Sequence, residues 1–260
     1  MPNARLYKTE AVVLRQRRLG DADRLLTIYT TAYGKLVVKA KGVRRTTSRM
    51  SGHLQPLTRC MLQLAQGHTS DVVAGCETLE SFQPLHEDLD RLSRAVYVAE
   101  LIDRMMPEKS PGMATYRLVV ETLRRLASDD GGDMVLRHFE MTLLGQNGFQ
   151  PELGNCTGCG TALEPVENFF APRSGGMVCP SCASDSGGAR AMSLTGLKVL
   201  RLLQRGSYEE AARLRIEAEL ATELERHLRS YIVCVLERDV NAAAFMERLR
   251  REARRLPART

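Results

Sequence analysis

Two CxxC pairs, Cys156 with Cys159 and Cys179 with Cys182, constrain this chain more than any other feature, because the nineteen residues between them let both pairs meet at one tetrahedral ion. A CxxC turn aims two thiolates at a common point, and a second turn on a facing hairpin closes a four-sulfur shell with no position left for water. The cofactor this implies is one structural Zn2+. Gly158 and Gly160 beside the first pair, and Pro180 and Ser181 within the second, supply the turn chemistry. Reduced thiols in a loop are the plainer alternative. A redox role fits poorly, since neither pair lies in a βαβ pattern.

The other three cysteines, Cys60, Cys76 and Cys234, stand singly in apolar stretches and read as buried free thiols, so the chain is expected to fold without disulfides in a reducing compartment. The start, Met1 to Tyr7, does not resemble a signal peptide, and no apolar run approaches the roughly 20 residues of a membrane span. The expected location is therefore the cytoplasm, with no membrane partner.

Periodicity divides the 260 residues. Leu6 to Gln16, Arg24 to Thr31, Lys35 to Lys41, Leu57 to Leu64 and Ser70 to Leu79 are strand-like runs separated by turn residues. Five short strands suggest a small barrel, of OB type or of the SH3-like half-open type. From Leu89 onward the apolar spacing becomes helical, with helices expected to Met106 and at Ala114 to Ala127, Asp133 to Asn147, Leu194 to Gln204, Tyr208 to Arg215 and Thr222 to Arg250. The expected architecture is an α+β multidomain chain. Residues 1–82 form a five-stranded OB-type β-barrel, 83–152 and 190–260 an α-helical domain, and 153–189 a four-cysteine zinc-binding insertion.

Charge is uneven. From Arg5 to Arg59 the acids are Glu10, Asp21 and Asp23, against thirteen lysines and arginines, although the net charge of the whole chain is only +6. Such an excess suits a phosphate-binding surface. A period of two puts Lys35, Lys39 and Lys41 on one face of the third strand. Arg44, Arg45 and Arg49 follow in the loop, with Arg15, Arg17 and Arg18 beside them. The plainer reading of the lysines is a solvated strand edge that resists aggregation. Aromatic residues make up 5% of the chain, so base stacking could draw on little beyond Tyr29 and Tyr33, themselves candidates for core or turn. A second basic cluster, Arg248 to Arg259, reads equally as an amphipathic or frayed terminus.

Catalytic signatures are weak. Gly34 and Lys35 lack the glycine spacing of a phosphate loop, and the five histidines show no nucleophile pattern. His138, Glu140 and the Cys156/Cys159 pair form a superficial zinc-deaminase set, but no proline precedes Cys156 and the second cysteine pair already completes a shell. No catalytic residue is expected, and the chain reads as a non-enzyme. Leu123, Leu126, Leu143 and Leu144 suit a core, or less simply a groove for a partner tail.

The runs Val12-Val13-Leu14-Arg15, Gly20-Asp21-Ala22-Asp23-Arg24-Leu25-Leu26, Tyr33-Gly34-Lys35 and Ala40-Lys41-Gly42-Val43-Arg44-Arg45 resemble the amino-terminal barrel of the RecO recombination-mediator family. Phe139, Glu140, Leu143, Leu144, Gly148, Phe149, Pro151 and Leu153, leading into Cys156, Cys159 and Gly160, resemble the helix and zinc entry of the same family. Asp21 departs from a family preference for Glu. The resemblance implies a non-enzymatic, nucleoid-associated bacterial DNA repair protein that binds single- and double-stranded DNA and anneals complementary strands. With RecR it would help load RecA onto strands coated by single-stranded DNA-binding protein (SSB), whose acidic tail would be a further partner. A zinc-containing nucleic-acid adaptor is the alternative, and the deaminase a more distant one.

Overall fold

The computed structural model describes residues 5–128, 132–237 and Met246, in two compact units. The first contains 5–128 and Met246, the second 132–237.

In the first unit, β1 (Leu6–Leu19), β2 (Asp23–Thr30), β3 (Gly34–Ala40), β4 (Arg59–Ala65) and β5 (Val72–Glu80) close into a barrel of order β1-β2-β3-β5-β4. All neighbours run antiparallel except β3 and β5, which meet in parallel at Lys39 and Val72. This order is that of the OB type and decides between the two barrels the strand pattern allows. Alternation along β3 sends Leu36, Val38 and Ala40 inward to join Ala11, Val13, Leu26, Ile28, Leu62 and Leu64.

One irregularity matters. The β1–β2 register shifts between Val13 and Arg15, so Leu14 is an extra residue. A bulge of one residue reverses which side chains point out. Val13 faces inward opposite Ile28, yet Arg15 and Arg17 fall opposite Thr27 and Leu25 on the outer face.

Helix α1 (Pro84–Glu87) leads into α2 (Leu89–Met105), whose first turn is capped by the Asp88 carboxylate accepting from the Arg91 amide at 2.8 Å. Tyr97, Val98, Leu101 and Ile102 are buried on α2, and Leu118, Val119, Leu123 and Leu126 on α3 (Met113–Ala127). The segment between α2 and α3 lies along β3, where the Lys109 amide donates to the Lys35 carbonyl at 2.9 Å. Gly34 permits this approach: its φ is +65°, and a Cβ there would stand 1.9 Å from the Ser110 carbonyl oxygen.

The second unit begins with α4 (Asp133–Gln146), which packs against three later helices. A three-stranded antiparallel sheet of order β7-β6-β8 follows, from β6 (Asn168–Ala171), β7 (Gly176–Val178) and β8 (Arg190–Met192), with the short α5 (Pro180–Ala183) between β7 and β8. Then come α6 (Leu194–Arg205), capped by Ser193, α7 (Tyr208–Ala212), opened by a Ser207/Glu210 capping box, and α8 (Ala218–Leu236). Phe170 of β6 is buried edge-on against His227 and Tyr231 of α8, at ring distances of 5.5 and 5.7 Å, which fastens the sheet to the helices. Helix α7 is shorter than its apolar spacing suggested. The continuation of the last helix toward Arg250, and the arginines from Arg248 to Arg259, lie outside the described residues. Among the described residues no helix is long and apolar enough to cross a membrane.

Candidate metal centre and cationic surface

The four cysteines expected to share an ion come together. Their Sγ atoms all lie within 4.8 Å of one another, with Cys159 and Cys179 at 3.9 Å. A tetrahedral zinc with Zn–S near 2.3 Å sets sulfurs about 3.8 Å apart, so the cluster has the right size. Each pair is held by its own turn. The Gly160 amide donates to the Cys156 carbonyl at 2.8 Å, and the Cys182 amide to the Cys179 carbonyl at 3.1 Å. The Thr157 amide donates to the Met177 carbonyl at 2.9 Å, which brings the first turn onto β7.

The donor chemistry also calls for a cation. Burial would raise the Cys156 thiol, but amides of Cys179, Cys159 and Gly158 bring it down to about 6. Contact with the Cys179 side chain, then with those of Cys156 and Cys159, pushes Cys182 up to about 12. Sulfurs this close resist joint ionisation, which a dication at their centre would relieve. Gly158 completes the cradle, since a Cβ there would sit 3.0 Å from the Cys182 Cβ and 3.1 Å from its Sγ. The deaminase set is not assembled. His138 stacks edge-on against Tyr208 at 5.5 Å, and Glu140, its side chain fully buried, pairs with Arg137 at 3.0 Å.

The nine cations singled out in the sequence divide by environment. Lys35 is on the outer face of β3, but its side chain is only 12% exposed, and its ammonium pairs with Asp103 of α2 at 3.5 Å and also donates to the Asp103 backbone carbonyl. It tethers barrel to helix. Arg15 meets the same carboxylate at 3.0 Å with its side chain still 61% exposed. Arg44 is turned toward the β1–β2 hairpin, donating to the carbonyls of Gly20 at 3.2 Å and Asp21 at 2.9 Å.

The other six, Arg17, Arg18, Lys39, Lys41, Arg45 and Arg49, form no ion pair among the described residues. Arg17, Leu25 and Lys39 fall in one cross-strand row on the outer face, while Arg18 pairs with Arg24 on the opposite side of the hairpin. Asp103, which decides the fate of Lys35 and Arg15, gave no sequence signal because its partners are remote along the chain.

The two tyrosines differ, since Tyr33 is 40% exposed and Tyr29 is closed to stacking. Tyr29 is 1% exposed, and Tyr33, on the turn before β3, rests edge-on against Tyr7 at 4.7 Å. Leu123, Leu126, Leu143 and Leu144 are wholly buried, so they line no open groove for a tail; they are core.

Fold and sites together define a two-part α+β protein, with a cation-bearing OB-type barrel in one unit and a closed four-thiol cluster in the other. Comparison with known proteins makes that class specific. A family model described as "Recombination protein O N terminal" matches residues 3–82, and one described as "Recombination protein O C terminal" matches residues 86–243. The chain is 38% identical over 250 residues to a DNA repair protein RecO of Roseiflexus sp. (strain RS-1), covering 96% of this chain and 88% of that protein. It is 38% identical over 243 residues to that of Desulforudis audaxviator, covering 94% and 97%. The corresponding protein of Dehalococcoides mccartyi (strain BAV1) is 35% identical over 244 residues, covering 94% and 96%. The chain belongs to the RecO family of DNA repair proteins.

Proposed function

We propose that this chain is a non-enzymatic mediator of recombinational repair in the bacterial cytoplasm, acting at the nucleoid. It binds single- and double-stranded DNA through the barrel and anneals complementary strands. With RecR it helps load RecA onto SSB-coated DNA. The observation that carries this reading is the group of six cations on the barrel's strands and following loop that have no acidic partner among the described residues. Annealing needs two polyanions brought together with base edges left free, so phosphate neutralisation by Arg17, Arg18, Lys39, Lys41, Arg45 and Arg49 serves it better than base readout would. Arg15 and Arg44 add charge at the border, and Lys35 holds the strand beneath.

Cys156, Cys159, Cys179 and Cys182 would hold one Zn2+, which supplies folding energy to its own unit and no chemical step. The test is annealing of arbitrary complementary strands, bare and SSB-coated, without nucleotide. Acceleration that falls steeply with salt is expected. No acceleration on either substrate overturns the reading.

A further inference from the structure

Between the loop that follows β3 and the start of the helices, the first unit contains a groove of about 390 Å3. Its volume lies in the range of small-ligand sites. Leu57, Leu92 and Val96 give it apolar walls, Gln55 and Gln83 place amide edges around them, and His86 adds an imidazole. Val96 is 41% exposed on this wall although it is an aliphatic residue on a packed helix. No Asp, Glu, Lys or Arg lines the groove. Leu57, in the lining, has a φ of +66°, a conformation bulky side chains rarely adopt and one associated with functional sites.

One bank of the groove connects to cations, while on the other Gln83 Nε2 donates to Glu87 Oε1 at 2.8 Å. Arg24 Nη1 donates to Gln16 Oε1 at 2.7 Å, Gln16 Nε2 donates to Gln55 Oε1 at 3.4 Å, and Gln55 Nε2 donates to the Ser51 carbonyl at 2.9 Å. A chain of hydrogen bonds thus runs from the Arg18/Arg24 side of the β1–β2 hairpin into the groove wall. The exposed Arg45 and Arg49 lie in the same loop that supplies this wall. We infer that the groove receives one unstacked nucleobase of a single strand whose phosphates lie along these arginines. A nucleobase is neutral, planar and edged with donors and acceptors, which matches a lining of aliphatic walls and amide groups. A carboxylate-bearing peptide end would need a cation in the lining itself. The inference rests on the DNA-binding reading above and adds a base-accepting site to it.

The test compares the full chain's affinity for an oligothymidylate and for a fully abasic strand of the same length and charge, across a salt series. The expected result is binding of the thymidylate about five- to tenfold tighter, with equal salt slopes. V96F, which fills the groove without touching a cation, should bind both strands equally at an unchanged slope. Equal binding of the two strands by the unsubstituted protein, or a preference that survives V96F, overturns the inference and leaves the DNA-binding reading standing. Failure of both strands to bind with salt-dependent affinity would instead remove the reading on which it rests.

Discussion

Lys35 and Lys39 alternate outward on the same strand, yet their environments assign them opposite jobs, and two substitutions separate them. Lys39 has no acidic partner among the described residues, so Lys39→Ala should cost one phosphate contact. If six cations each neutralise one phosphate, the slope of log affinity against log salt for a single strand is about −4, and each lost contact reduces it by about 0.7. Lys39→Ala with Lys41→Ala should therefore lower the slope by about 1.4 and weaken binding roughly tenfold near 0.15 M salt. Folding should be untouched.

Lys35→Ala acts on the fold instead. It removes a charge-assisted hydrogen bond to the Asp103 carbonyl and an ion pair at 3.5 Å, while Arg15 still satisfies the carboxylate at 3.0 Å. That remaining partner limits the cost to about 1–3 kcal/mol, below the cost of stranding a buried charge. With an m-value of about 2 kcal/mol/M, the urea midpoint of the first transition should fall by roughly 0.5–1.5 M. Fluorescence anisotropy across salt concentrations and urea unfolding followed by circular dichroism give both readouts for each variant. If Lys35→Ala lowered the salt slope as Lys39→Ala does and left the urea midpoint unchanged, the division of labour argued from Asp103 would be refuted.

Zinc removal by a chelator, or Cys156→Ser, should unfold the three-stranded sheet while the barrel's strand signal persists; elemental analysis finding no zinc in protein purified without chelators would contradict the metal assignment. Gly158→Ala should loosen the same site by forcing a Cβ against Cys182, seen as faster zinc release to a colorimetric chelator. Glu140→Ala removes the buried carboxylate that pairs with Arg137 at 3.0 Å and should cost about 3–5 kcal/mol in urea unfolding. His227 is held below its usual value of 6.5, chiefly by burial, with nearby Arg226 and Arg190 acting the same way and Glu223 and the Ala191 carbonyl opposing. The unfolded chain therefore takes up a proton before the folded one, and stability should be flat above about pH 6.5 and fall below it by at most about 1.4 kcal/mol per pH unit; in His227→Gln that component of the titration should be absent.

What the sequence makes legible follows from how local its causes are. The two CxxC pairs announce their cluster because turn chemistry and metal geometry act over three or four residues. Leu36, Val38 and Ala40 announce their face because alternation is enforced by the pleat. The small sheet of β6, β7 and β8 was not foreseen, since three- and four-residue strands such as Gly176–Val178 carry too little pattern to stand out from turns. Asp103 was not foreseen as a partner of Lys35 because it reads as an ordinary helix-surface acid. The leucines of α3 and α4 are a milder case, since their spacing favours a core over a groove and their full burial bears that out.

The bulge at Leu14 shows why a cationic surface is the hardest part to read. A strict alternation continued from the inward Val13 would turn Arg15 into the barrel opposite Leu26 and set Arg17 against Arg24, which costs a buried guanidinium and a like-charge pair. One inserted residue avoids that cost, places Arg17 in a row with Lys39 across β2, and leaves Arg18 facing the other way with Arg24. Deleting Leu14 would make the β1–β2 ladder regular with Arg15 and Arg17 still opposite Thr27 and Leu25, whereas pairing Leu14 as an ordinary strand residue would turn both arginines inward. The charged face therefore depends on Leu14 standing outside the ladder as a bulge, with only 5% of it exposed. Counting basic residues finds the charge; only the strand register says which way it points.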